Sequence, residues 1–280
     1  MTAISTFRNL ERFRKTFRNW PYVLKTMISH GSDGQSSNLQ IPLKFRDDSN
    51  LIVTHLRSIS VAVGYSVAST NLGNFSLQDL KELLTLADTL GHEIDHVIQP
   101  DSFKLTFSQK DGVLFALVRN FKPNVFVETG VAYGVSSTAI LKAMDLNGSG
   151  KLISVDLPNK KKEGYAYADG TQDPIFIPED KDPGWIVPGG LRKRWDLRLG
   201  KSSDVLPQIG EVIDVFFHDS EHSYQNMMFE FEWAYEHLVP NGIIGSDDFS
   251  WNQAFPDFVN KFHLIEVFPG SIDSGFVKKD

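Results

Sequence analysis

Two groups of residues have types and spacings that could do chemistry. The first runs from Glu128 through Gly130 and Gly134 to Ser136 and Ser137. Glycines at this spacing let a backbone turn tightly and approach a ligand closely. The dinucleotide fingerprint G-x-G-x-x-G is not met, because Glu128 stands where its first glycine belongs. A carboxylate there repels a pyrophosphate and suits a ligand that brings an ammonium group. Asp156 lies 22 residues past Gly134, where an acid can accept hydrogen bonds from ribose hydroxyls.

The second group joins His218, Asp219, Glu221 and His222 to Asp247 and Asp248. If Asp219, Asp247 and Asp248 converge, their charges repel unless they are protonated or neutralised by a cation. A hard divalent cation such as Mg²⁺ is the natural partner for such oxygens. A metal-bound hydroxyl loses its proton readily, and His222, with an ordinary pKa of about 6.5, can take that proton near neutral pH. A metal-free arrangement fits the same residues, with His222 as base and the acids binding hydroxyls. So does a plainer one, in which they cap helices and order loops.

The surrounding elements must bring these groups together. A helix at Gln109–Phe121 leads to a strand at 124–128, a glycine turn and a helix at Ser136–Met144. Further strands are expected at Lys151–Asp156, Trp195–Leu199, Val212–His218 and Gly242–Ser246, with helices near Ser203–Gln208 and Ser223–Leu238. Phe262–Phe268 and Ser274–Lys278 close the chain as a strand pair. Strands alternating with helices predict an α/β fold, a mostly parallel sheet covered on both faces and closed by an antiparallel strand. Such sheets bind ligands outside the carboxyl ends of their strands, where the acids of both groups are expected.

These motifs resemble the class I S-adenosylmethionine-dependent methyltransferases, which have a Rossmann-like doubly wound sheet. The E-T-G-x-A-x-G-x-S form of the first motif is similar to the branch of small-molecule O-methyltransferases and cephalosporin-hydroxylase-like proteins. The resemblance covers roughly residues 108–280. It implies that Glu128, Gly130 and Gly134, in the motif that ends at Ser136, hold the methionine portion of S-adenosylmethionine, that Asp156 holds the ribose, and that the region of Gly200 and Ser202 borders adenine. Metal-dependent catechol-type relatives carry a similar acid pattern after their fourth and fifth strands. By that pattern Asp219, Asp247 and Asp248 would be metal ligands, and His222, three residues past Asp219, the general base. The implied reaction is methylation of a hydroxyl on a small polar metabolite or sugar. Two alternatives remain: a non-catalytic nucleotide-binding or scaffold protein of this fold, and a nicotinamide-dependent oxidoreductase, which Glu128 disfavours.

The chain has 280 residues, of which 41% are hydrophobic, enough for a substantial core. No apolar run approaches the ~18 residues of a membrane span. Cysteine is absent, which excludes disulfides, Cys-ligated metal and thiol nucleophiles. With no signal-peptide pattern, a cytoplasmic location is expected. A net charge of −7 argues against nucleic acid as a partner. Residues 1–27 are the basic exception, and Phe7, Leu10, Phe13, Phe17 and Trp20 recur there at helical spacing. That pattern suits a helix packed on the protein or a second copy of it, or a peripheral membrane contact.

Residues 1–105 are expected to form a small α+β accessory region, and residues 106–280 the cofactor-binding domain. Strands are predicted at Leu39–Phe45 and Leu51–Leu56, and a helix from the Ser76 cap to Gly91. His92, Glu93 and His96 have the letters of a zinc motif, but past a helix-ending Gly91 they would lack the helix that motif needs. The Pro/Gly-rich stretch Gly164–Arg194, with Trp185, Arg192, Lys193 and Arg194, could be a lid over an anionic substrate. Its plainer reading is a loop with its tryptophan tucked into the core.

Overall fold

The structure, a computed structural model, describes residues 49–98, 105–160, 165–166, 170, 172–173, 175–267 and 274–280. The basic segment at 1–27 and the strand expected at Leu39–Phe45 lie outside these residues. The described residues begin with helix α1 (Ser49–Asn71) and helix α2 (Leu77–Val97). The strand expected at Leu51–Leu56 is therefore helical. Its β-branched letters favour a strand locally, but Val61, Tyr65 and Ala68 downstream are buried at steps of four and three, the helical period. Ser76 caps α2 by accepting from the Asp79 N–H at 3.2 Å, and Leu80, Leu83, Ala87, Leu90 and Ile94 form its buried stripe. Gly91 does not end this helix. A Cβ there would lie 1.7 Å from the Arg57 guanidinium, which pairs with Asp95 at 2.9 Å; the glycine makes room for that ion pair.

Helix α3 (Gln109–Phe121) follows, and then the alternation of strands and helices: β1 (Val125–Thr129), α4 (Val135–Asn147), β2 (Lys151–Asp156), a two-residue pair β3 (Tyr165–Ala166) and β4 (Gln172–Asp173), and β5 (Trp195–Leu199). After these come α5 (Ser202–Val205), β6 (Ile213–His218), α6 (Tyr224–His237), β7 (Leu238–Asp247), α7 (Ala254–Phe262), β8 (Ile265–Glu266) and β9 (Ser274–Lys278). The main sheet has the order β5-β2-β1-β6-β7-β9-β8. Its first five strands run parallel, and β9 and β8 close it antiparallel. This is the expected Rossmann-like doubly wound sheet.

The period of two along each strand sends alternate side chains to opposite faces. Phe126, Leu152, Val215, Phe217, Ile243 and Phe276 join one core with α1 to α4. Val127, Ile153, Phe216, Ile244 and Val277 join the other with α6 and α7. The described part of the N-terminal region thus shares a core with the sheet. No helix among the described residues is long and apolar enough to cross a membrane.

Candidate active site

The same parity decides which polar residues meet at the carboxyl edge. Along β6, Phe217 faces α3, and so does Asp219, one residue past the strand. Along β7, Ile243 and Asp247 face α3 as well. His218 and Thr129 have the opposite parity and face α6. The register sets Thr129, His218 and Ser246 side by side at the strand ends. Two polar clusters result, one on each face of the sheet edge.

On the α3 face, Asp219 and Asp247 come together as their spacing predicts, with Lys110 between them. Lys110 Nζ donates to Asp219 Oδ2 at 2.6 Å and to Asp247 Oδ2 at 2.7 Å. Ser274, paired with Asp247 across β7 and β9, donates to its other oxygen at 3.2 Å. Side-chain exposures of 18, 22 and 16% for Lys110, Asp219 and Asp247 leave the cluster reachable from outside. Burial raises the pKa of Asp219 well above the usual carboxylate range; Lys110 opposes this and the charge of Asp247 adds to it. Burial works against ionisation of Asp247 too, but Lys110 and the hydrogen bond from Asp219 hold its pKa below the usual value. The pair therefore shares one proton and one negative charge, which Lys110 balances.

The three-carboxylate convergence expected for a metal is not found. Asp248 follows the strand in the left-handed region, at φ 42°. Among the described residues no group of three His, Asp or Glu side chains could hold a metal ion. His92 and His96, now on a helix, are exposed on α2, with His92 3.6 Å from Asp88.

On the α6 face, His218 and Glu230 are fully buried, with His218 Nδ1 2.7 Å from Glu230 Oε2. Glu230 also accepts from Thr129 at 2.5 Å, Ser220 at 2.7 Å and Asn226 at 3.1 Å. Burial raises its pKa, but the His218 ring and the Thr129 hydroxyl reverse that, and it falls below the usual range. The other ring nitrogen of His218, Nε2, is buried with no hydrogen-bond partner. His222 packs edge-on against this ring, centroids 5.0 Å apart. Its pKa is pushed down to about 3, first by burial and then by His218, so at neutral pH it is a neutral imidazole. The ring of Trp251, 53% exposed, lies 6.0 Å from that of His222.

The glycine loop follows β1, the strand next to β6, along the same edge. Gly130 and Gly134 have φ 83° and 92°. A Cβ would sit 2.0 Å from the Asp219 carbonyl at Gly130, and 2.7 Å from Gly184 Cα at Gly134. Asp156 accepts from the N–H groups of Val131 at 2.7 Å and Ala132 at 3.0 Å. Glu128, expected to meet a ligand, is instead fully buried beneath the loop. It accepts from Ser136 at 3.1 Å, Ser154 at 2.6 Å and Ser137. Burial pushes its pKa up to about 7 against these three hydrogen bonds. Ser136 is thus committed to Glu128, while Ser202 donates to Asn226 at 3.1 Å and so joins the α6-face network.

The stretch from 175 onward is fastened down. Gly184 and Ile186 donate backbone bonds to Ala132 and Tyr133 of the glycine loop. Trp185 is half-buried, its ring 5.9 Å from that of Tyr133. Arg192 caps the carbonyls of Val187 and Gly184, Lys193 pairs with Asp145 at 2.8 Å, and Arg194 donates to the Gly150 carbonyl. These cations brace the segment to the domain, and none of the three is given to the strand-end clusters.

Lys110 and Glu230 were missed by the sequence reading, though each leaves a local trace. A lysine in the first turn opposes the helix dipole, which signals a charge partner outside the helix. Glu230 sits among Met227, Phe231 and Ala234 on the buried face of α6, where a carboxylate needs buried donors.

Residues 127–249 match the family model of a methyltransferase domain. No curated protein matches the chain. Among solved structures, a Podospora anserina methyltransferase bound to S-adenosylhomocysteine is similar at 14% identity and TM-score 0.49, covering 74% of this chain and 97% of that one. An O-methyltransferase from Bacillus cereus in complex with S-adenosylhomocysteine is similar at 20% identity and TM-score 0.42, covering 79% and 98%. An O-methyltransferase of Streptomyces achromogenes in complex with S-adenosylmethionine is similar at 17% identity and TM-score 0.44, covering 71% and 89%.

Proposed function

From the match of residues 127–249 to the model of a methyltransferase domain, we propose that the protein is a class I S-adenosylmethionine-dependent enzyme that methylates a hydroxyl oxygen of a small polar molecule. The observation that carries this reading is one of placement. The loop of Gly130 and Gly134 and the pair Asp219 and Asp247 open on the same edge of one sheet, and Gly130 packs directly against the Asp219 backbone. A ligand over the loop and an acceptor at the pair would be neighbours.

Gly130, Gly134 and Asp156 are suited to the cofactor: positive φ at the loop, backbone amides gathered by a carboxylate, and that carboxylate at the end of β2. S-adenosylmethionine supplies an electrophilic methyl group on a sulfonium. Glu128 acts from below, as the buried acceptor that ties the loop to Ser136, Ser137 and Ser154. The carboxylates of Asp219 and Asp247 would receive the acceptor hydroxyl, and most of their contribution is orientation.

His222 would accept the proton. A base with a pKa of about 3 is too weak to deprotonate a free hydroxyl. An oxygen gaining a third bond becomes far more acidic than imidazolium, so the proton leaves late, as the new bond forms. Divalent-metal chemistry does not fit these residues as they stand, because an ammonium already lies between the two carboxylates.

Calorimetric titration of S-adenosylhomocysteine into the full chain tests the reading. Saturable binding weakened about ten-fold or more by Asp156→Ala is expected, since that change removes a ribose acceptor. Absence of binding to folded protein overturns the reading and favours a scaffold that has lost its pocket.

A further inference from the structure

We propose that Lys110 is the resident cation of this site, filling the position between Asp219 and Asp247 that a divalent metal would otherwise take, and that it donates to the acceptor oxygen. The second part rests on the methyl-transfer reading above; the first does not.

Position is the first ground. Lys110 Nζ is 2.6 and 2.7 Å from the two carboxylate oxygens. A divalent ion bound to those oxygens would sit about 2.0–2.6 Å from each, so the ion and the ammonium would claim the same point. The second ground is charge. The Lys110 ammonium, in contact with both carboxylates, already offsets negative charge there and repels a divalent ion brought to the same oxygens.

Anchoring is the third ground. Lys110 is the second residue of α3, whose start is fixed where Ser108 donates through its N–H and hydroxyl to the buried Asp111 at 2.7 and 3.1 Å. Gly64 of α1 packs against the Gln109 carbonyl, leaving no space for even a Cβ. A lysine stem rising from so fixed a base holds its charge at the strand ends without a soluble ion. An ammonium has three donors, and two of them are used on Asp219 and Asp247. The third is available to an acceptor hydroxyl, whose oxygen it would orient.

The test is a titration of MnCl₂ alone into the full-length protein, with free Mn²⁺ followed by electron paramagnetic resonance. Wild-type protein is expected to leave Mn²⁺ free up to about 1 mM, and Lys110→Met, which keeps the stem and removes the charge, to bind about ten-fold or more tightly. Adding Asp247→Asn to Lys110→Met should abolish that binding. Saturable binding by the wild type overturns the inference, and so does a folded Lys110→Met protein that binds no better than wild type. Should Lys110→Met fail to fold, the wild-type titration alone decides. Neither arm involves S-adenosylhomocysteine, so failure of the cofactor reading would register separately in its own calorimetry.

Discussion

Glu128 illustrates how far a residue's letter can be from its role. Its place in the motif suggested a hand held out to a ligand, and burial beneath three serine hydroxyls gives it an internal one. Its pKa rises from an ordinary 4.5 to about 7, so the folded protein keeps a proton that the unfolded chain loses. The stability this contributes is complete below pH 4.5 and is lost as pH rises toward 7. Glu128→Gln, which keeps a carbonyl acceptor and removes the titration, should gain about 3 kcal/mol relative to wild type across that window. Urea denaturation at several pH values measures it, and a pH-independent difference would contradict it. His222 titrates the other way: with its pKa depressed to about 3, it stabilises the fold above pH 6.5 and loses that contribution as pH falls. Its ring carbon and nitrogen resonances should remain those of neutral imidazole down to about pH 4. The pH–rate profile of methyl transfer should then show no limb from this group near 6.5. Asp219 and Asp247 were legible as strand-end residues because chemistry there is local in sequence. Lys110 was not, since 109 residues separate it from Asp219, and no pattern within one helix reveals a partner in another.

At the scale of elements, the strands were the most legible part. Trp195–Leu199 and Ser274–Lys278 coincide with β5 and β9, because short β-rich runs between turn residues have few other ways to bury themselves. Helices misled where a local signal competed with packing. Gly91 reads as a stop and is a gap for Arg57, and the β-branched start of α1 reads as a strand and is the beginning of a helix. The crossing of α1 and α3 is especially close: a Cβ on Gly64 would lie 1.9 Å from the Gln109 carbonyl oxygen. Since that neighbour is backbone, Gly64→Ala should destabilise the protein by about 3 kcal/mol, as read by chemical denaturation. A near-neutral result would mean that the two helices can separate at little cost, and the fixed base assigned to Lys110 would go with it.

For the whole molecule, the sheet has two cores, and among the described residues α1 and α2 bear on only one of them. Tyr65, Leu83, Leu90 and Ile94 from α1 and α2 are buried in the same cluster as Phe115, Phe126 and Ile140. A fragment comprising residues 106–280 would expose that face of α3. It should bind a hydrophobic dye and melt without a sharp transition, whereas full-length protein melts cooperatively. A fragment that unfolds cooperatively at the full-length temperature would show that the N-terminal helices are an appendage. In sequence, residues 1–105 read as a small mixed accessory region, because the alternation of strands and helices and the chemical motifs begin only near residue 108. Motifs mark where ligands go, and cores form by apolar pattern alone, so the two boundaries need not coincide.

The indole of Trp195 donates to Ser154 at 2.7 Å, and Ser154 donates in turn to Glu128 at 2.6 Å. Three adjacent strands are thereby joined from an intrinsic fluorophore to the carboxylate under the glycine loop. The emission of Trp195 should shift when that loop is loaded or when Glu128 ionises. The molecule carries its own optical gauge of the site, one that needs neither a label nor a known acceptor.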